Sequence, residues 1–117
     1  SWTAATIPLS ANWRDVAYGD GKFVAVAYGD KVAYSTDGIS WATATLPSSA
    51  NWYSITYGGG RFVAVVRSSD KAAYSTDGIS WAEATLPSST HWESVTYGDG
   101  KFVAVAYYSN KAAYALA

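Results

Sequence analysis

The sequence predicts an all-β protein made of three copies of one unit, each with four short antiparallel strands. Three observations carry this reading. Ser1-Trp2, Ser40-Trp41 and Ser80-Trp81 open segments that align with one another along the whole 117-residue chain. Each segment divides into short extended runs separated by turn residues. No stretch keeps the i, i+3, i+4 apolar spacing of an amphipathic helix over a useful length.

A fixed internal period decides the architecture before any other feature. The copies span residues 1–39, 40–79 and 80–117, and together they fill one domain. Copy one is a residue shorter because its Gly29-Asp30 loop lacks the serine found at Ser69 and Ser109. Copy two shows the plan. A first strand is expected at Trp41–Thr45, ending in Leu46-Pro47-Ser48-Ser49. A second covers Trp52–Tyr57 and closes in the tight turn Gly58-Gly59-Gly60. A third covers Arg61–Val66, and Ser68-Ser69-Asp70 turns the chain into a fourth at Lys71–Ser75.

The third run tells most about how the units pack. Phe23-Val24-Ala25-Val26-Ala27 is apolar on both faces, as are its counterparts at 62–66 and 102–106. A strand with one wet face would alternate apolar and polar residues. Burial on both faces is expected when small sheets stack face to face around an axis, which is the plan of a β-propeller. The ends of the chain point the same way. Ser1–Thr6 reads as an outer strand without a preceding unit. The last copy stops at Tyr114-Ala115-Leu116-Ala117, without the outer strand that Trp41 and Trp81 bring to the units before them. Trp2 and Tyr114 are therefore expected at a seam between molecules, since an unpaired strand and an unpaired edge favour pairing.

The segment Tyr34-Ser35-Thr36-Asp37-Gly38-Ile39-Ser40-Trp41, repeated from Tyr74 to Trp81, resembles the Asp-box or BNR-type repeat of β-propellers. Here the glycine follows the aspartate directly, a contracted form of that pattern. The accompanying Tyr-Gly-Asp-Gly-Lys-Phe-Val-Ala-Val is also similar to bacterial propeller repeats of this group. The resemblance implies that Asp37 and Asp77 cap their own turns, that Gly38 and Gly78 take positive φ, and that Trp41 and Trp81 pack beneath the loops. Trp2 matches only the aromatic. The resemblance does not imply an enzyme. Asp boxes occur in sialidases, whose chemistry needs an arginine triad with a Tyr/Glu pair and an acid. Of the three arginines here, Arg61 merely occupies the turn position of Lys22 and Lys101.

Composition narrows the function further. Half of the residues are hydrophobic and 16% aromatic, enough to build a packed core. The formal charge is −1 and the basic residues are scattered, which argues against a nucleic-acid partner. The absence of cysteine removes disulfides and thiolate metal sites. No apolar run approaches the roughly 20 residues of a membrane-spanning helix. His91, which replaces Asn12 and Asn51, has no partners at triad or metal-ligand spacing and reads as a surface or turn residue. Neither metal nor cofactor is expected.

Propellers usually contain about four to eight units, or blades. Three per chain therefore call for partners: a homodimer of six blades is favoured, and a homotrimer would have nine. A monomeric β-trefoil is the alternative, because it also has three repeats and closes alone. The near-identity of the copies and the absence of Met suggest a designed, reconstructed or excerpted array. The expected function is a self-assembling symmetric scaffold without catalytic activity. The alternative is a lectin-like propeller that binds a carbohydrate or another small ligand. Its site would lie where the copies diverge: at Arg14, Tyr53 and Glu93, which occupy one equivalent position, and at Arg67, Tyr107 and Tyr108 in the neighbouring loop. Both patches are expected at one end of the ring. Trp13, Trp52 and Trp92 could stack on a sugar, but their recurrence in every copy points to the core instead.

Overall fold

Two-residue turns set the frame of the fold. In the computed structural model, which describes residues 1–117, strand β1 (Trp13–Gly19) turns into β2 (Lys22–Ser35) through Asp20-Gly21. Both turn residues have positive φ, 52° and 73°. This is the type I′ geometry whose twist matches that of the flanking strands. The same turn joins β3 (Ala42–Gly58) to β4 (Arg61–Ser75) and β5 (Ala82–Gly98) to β6 (Lys101–Ala106). The last strand, β7 (Ala112–Leu116), returns along β6.

All neighbours are antiparallel, and the order β1-β2-β3-β4-β5-β6-β7 follows the chain. The first half of β3 pairs with the second half of β2, from Lys31↔Thr45 to Tyr34↔Ala42. Its second half pairs with β4, from Trp52↔Val66 to Gly58↔Arg61. Strand β5 repeats this pattern between β4 and β6. Each copy thus supplies its first run to the sheet of the copy before it.

The expected division into four separate short runs is only partly what forms. Runs one and two are continuous as β3 and β5, and runs three and four as β2 and β4. These long strands bend sharply, because 17 extended residues would span about 56 Å while the longest dimension of the molecule is 39 Å. Leu46–Ser49 and Leu86–Ser89, read as turns, are large irregularities in the ladder. Four residues there stand opposite the single Asp30 or Asp70. The Arg61 guanidinium lies 5.5 Å from the Tyr74 ring, so the two halves of β4 face each other as β6 and β7 do. Ser1–Thr6 forms no strand within the chain; only Thr6 bridges, in parallel, to Ser40.

Successive copies pack face to face. Between copies one and two, Val24, Val26, Val32, Ile55, Phe62 and Trp52 form the heart of the larger core cluster, with Trp81 against it. Between copies two and three, Val65, Ala72, Trp92, Val95 and Ala104 form the smaller one. The approach is close: a methyl group on Gly19 would overlap the Tyr57 ring, and one on Gly58 the Tyr97 ring. Trp52 and Trp92 are fully buried, and their indole N–H groups donate to Ser48 O at 3.2 Å and Ser88 O at 3.0 Å. These tryptophans are core residues and cannot stack on a sugar. Burial of the third run on both faces holds for β2, whereas Val103 and Val105 of β6 are exposed.

Candidate functional site

The residues at which the copies differ occupy a structurally special position. Opposite Trp13↔Ala27 and Asp15↔Val26, one strand carries the additional residue Arg14. Tyr53 is the additional residue between Trp52↔Val66 and Ser54↔Val65, and Glu93 between Trp92↔Ala106 and Ser94↔Val105. Each is therefore the extra residue of a β-bulge at the same place in its copy. A bulge leaves its extra residue unpaired and re-aims its side chain, which is why bulges recur beside functional sites.

The three bulges and the neighbouring loops converge. Stacked cations and rings run across the copies: Arg14 lies 5.1 Å from the Tyr53 ring centre, and Arg67 meets the same ring at 5.1 Å. Arg67 also lies 5.8 Å from the ring of Tyr107. Guanidinium groups at such distances are attracted by the ring quadrupole, at about 0.5–1 kcal/mol when exposed. The Arg67 Nε stands 2.9 Å from Glu93 Oε1, as an ion pair whose N–H is not aimed along the contact. Tyr108 continues the row at 6.1 Å from Tyr107 and is almost wholly exposed. Its φ of 54° holds the loop tip in the left-handed region. The six divergent residues thus form one surface, and the carboxylate of Glu93 compensates Arg67 but not Arg14.

The neighbouring position, Asp15, Ser54 and Ser94, links copy to copy. Asp15 Oδ2 accepts hydrogen bonds from Ile55 N at 3.0 Å and Ser54 Oγ at 3.2 Å. In turn, Ser54 Oγ accepts from Val95 N at 3.2 Å. Ser94, exposed at the end of the series, makes no such bond.

The turns carry a second constellation. Asp37 Oδ1 accepts from Ile39 N at 2.8 Å, from Ser40 N at 2.9 Å and from Ser35 Oγ at 3.0 Å. Asp77 makes the same three contacts with Ile79, Ser80 and Ser75, at the same distances. Gly38 and Gly78 have φ of 77° and 79°, and the Trp41 and Trp81 indoles donate to their carbonyls at 3.3 and 3.1 Å. The backbone N–H groups of Ser40 and Ile39 hold the Asp37 carboxyl below its ordinary pKa, and those of Ser80 and Ile79 do the same for Asp77. These carboxylates are consumed by their own turns and are not poised for acid–base chemistry.

A different kind of feature separates copies two and three. An apolar cleft of about 350 Å³ runs between Val63, Leu86, Val95, Phe102, Ala104 and Tyr114. Tyr114, expected at a seam, lines this cleft, which no feature of the sequence marks. Trp2, the other residue expected at a seam, is fully exposed. His91 is exposed, with its carbonyl accepting from Tyr107 N at 2.7 Å, and no three His, Cys, Asp or Glu side chains are grouped to hold a metal ion.

No family model matches the chain. No curated protein matches it either. Among solved structures it is similar to one described as YCF48 bound to D1 peptide, a β-propeller, with a TM-score of 0.76 and 20% sequence identity. That match covers 90% of this chain but only 36% of the other, so the chain spans about a third of its neighbour. The likeness supports the propeller reading over the trefoil, and the chain has an all-β, antiparallel, propeller-like fold.

Proposed function

We propose that this chain is a non-catalytic, self-assembling ring unit: three four-stranded blades with Asp-box turns, closed into a complete propeller by further copies of itself. The observation that carries this reading is the mismatch in burial between equivalent positions. Ile55 and Val95 are 5% and 7% exposed because each is covered by the preceding copy, whereas their counterpart Val16 is 54% exposed. On the opposite face Val26 and Val65 are 0% and 1% exposed, and their counterpart Val105 is 48% exposed. The two open faces are the same two surfaces that meet twice inside the chain, so a second molecule can repeat that contact. The contact is heterologous, and such contacts generate rings when the rotation closes. Two chains would complete six blades and three would complete nine, six being the more usual size.

The cleft and Trp2 fit the same scheme. Trp81 packs on the Phe62 ring, 6.5 Å between centres, within the first core cluster. The corresponding place in the second contact lies beside Phe102, in the apolar cleft, which no tryptophan of the same chain lines. In the ring, Trp2 of the next chain occupies it, and Ser1–Thr6 pairs with the edge strand β7 beside Tyr114. Burying about 200 Å² of indole contributes up to about 5 kcal/mol before ordering costs. Light scattering across concentration tests the reading. The expected masses are those of two chains, or three, with Trp2→Ala raising the dissociation constant at least about a hundredfold. A single-chain mass at all concentrations rejects it.

A second reading draws on the stacked row. Tyr107 and Tyr108 are exposed, and Arg67 links Tyr107 to the Tyr53 ring on which Arg14 stacks, an arrangement suited to a carbohydrate or other small ligand with a flat face. The similar structure is described as a peptide complex, in keeping with a binding or scaffolding role for this fold. Calorimetric titration against a glycan panel, repeated with Tyr53→Ala and Arg14→Ala, decides it. Heats that persist in both variants place binding elsewhere.

A further inference from the structure

We propose that the bulge residues set the order of assembly, the Glu93 carboxylate of one chain pairing with the Arg14 guanidinium of the next. This rests on the ring reading above and adds to it a charge-based recognition of copy one by copy three.

The contacts already made inside the chain set the pattern. The bulge residue of copy one, Arg14, stacks on the bulge residue of copy two, Tyr53. The loop residue of copy two, Arg67, reaches both the bulge residue of copy three, Glu93, and its loop residue, Tyr107. Neighbouring copies therefore always bring bulge and loop residues together. At a seam that follows the same geometry, Glu93 and Tyr107 of one chain meet Arg14 of the next. The chemistry at that meeting is complementary. Arg14 has no carboxylate within ion-pairing distance in its own chain, and Glu93 commits only Oε1 to Arg67. A carboxylate can serve two guanidinium groups, one on each oxygen, while the Tyr107 ring offers Arg14 the stacking that Arg67 already receives.

Two further positions agree on the register. Asp15 reaches Ile55 N and Ser54 reaches Val95 N, so Ser94 of one chain would face Val16 of the next. Gly19 and Gly58 each lie beneath the tyrosine of the following copy, whereas Gly98 has nothing within 4 Å of where a methyl group would stand. The exposed Tyr18 of the next chain fits there. The charges also select the mode of contact. A face-to-face dimer joined through two copies of the first face lacks an Arg14–Glu93 pairing, because Glu93 belongs to the copy at the other end of the chain, whereas the head-to-tail contact brings Arg14 against Glu93.

The test is a charge exchange followed by sedimentation velocity, with circular dichroism to establish folding. Arg14→Glu and Glu93→Arg are each expected to raise the dissociation constant about tenfold or more, and the double variant to return within about threefold of the parent. Glu93→Gln, which keeps shape and removes charge, is expected to weaken assembly less and to lessen its dependence on salt. If the parent assembles while all these variants assemble equally well, or the double variant fails to recover, the charge-ordering proposal falls and the ring reading stands. If the parent sediments as a single chain, both fall.

Discussion

The two contacts between copies use equivalent positions and reach different results. In the first, Val24, Val26, Val32, Val66 and Phe62 close around Trp52, and Trp81 covers the cluster. In the second, Val32 and Val66 are replaced by Ala72 and Ala106, and nothing stands where Trp81 would be. Smaller side chains and a missing indole leave the cleft. Register and turns are the same in both, so the backbone plan does not depend on how well a contact is filled. Packing energy does, because each unfilled place forfeits transfer and dispersion terms.

Substitutions at equivalent positions test the difference between the two contacts. Phe62→Ala removes a ring that is completely buried in the larger cluster and is expected to cost about 3–5 kcal/mol, against clearly less for Phe102→Ala beside the cleft. Urea unfolding of both variants checks the difference, and equal losses would show that the two contacts are equally well packed.

A smaller effect is expected at the glycines. Gly58→Ala forces a methyl group into the Tyr97 ring and should destabilise by about 1–3 kcal/mol. Gly98→Ala meets nothing within the chain and should leave the stability of the isolated chain unchanged while hindering assembly. Thermal unfolding at low concentration, paired with light scattering at high concentration, separates these outcomes. Ala72→Val then tests the cleft directly. Restoring the valine of the first contact should add about 1 kcal/mol, read as a higher urea midpoint.

The smallest effect concerns the turns, which are alike in both copies that carry them. The Asp37 and Asp77 carboxyls have pKa values lowered in the fold, so their contribution is fully present above the ordinary aspartate range. It disappears as pH falls through the lowered values, so stability should decline below about pH 4. Comparing melting temperatures of the parent and Asp37→Asn/Asp77→Asn between pH 7 and pH 3 isolates this term. The variant should be the less stable at pH 7 and should lose less on acidification, and parallel profiles would exclude a role for these carboxylates.

Much of the fold is legible in the sequence. The Tyr-Gly-Asp-Gly and Ser-Thr-Asp-Gly segments specify turns through local chemistry: positive φ at Gly21 and Gly38, and a carboxylate two and three residues before the amides it caps. The divergence of Arg14, Tyr53 and Glu93 among otherwise similar copies marked the surface they share. Their bulges were not legible. Nothing in a string such as Asn-Trp-Arg-Asp says that the tryptophan and the aspartate will face adjacent partners with an extra residue between them. A bulge is a property of how two strands pair, so it arises only when they meet. The continuity of β3 through Leu46–Ser49 was hidden for a similar reason, because one strand there serves two successive sheets.

The period, the turns and the antiparallel order are written in the residues, because each rests on the conformational preferences of a few adjacent positions. Which copies cover one another, the place of Arg67 between Tyr53 and Glu93, and the cleft beside Phe102 emerge with the packed fold. These depend on how side chains some forty residues apart share one space, and local preference carries no record of that.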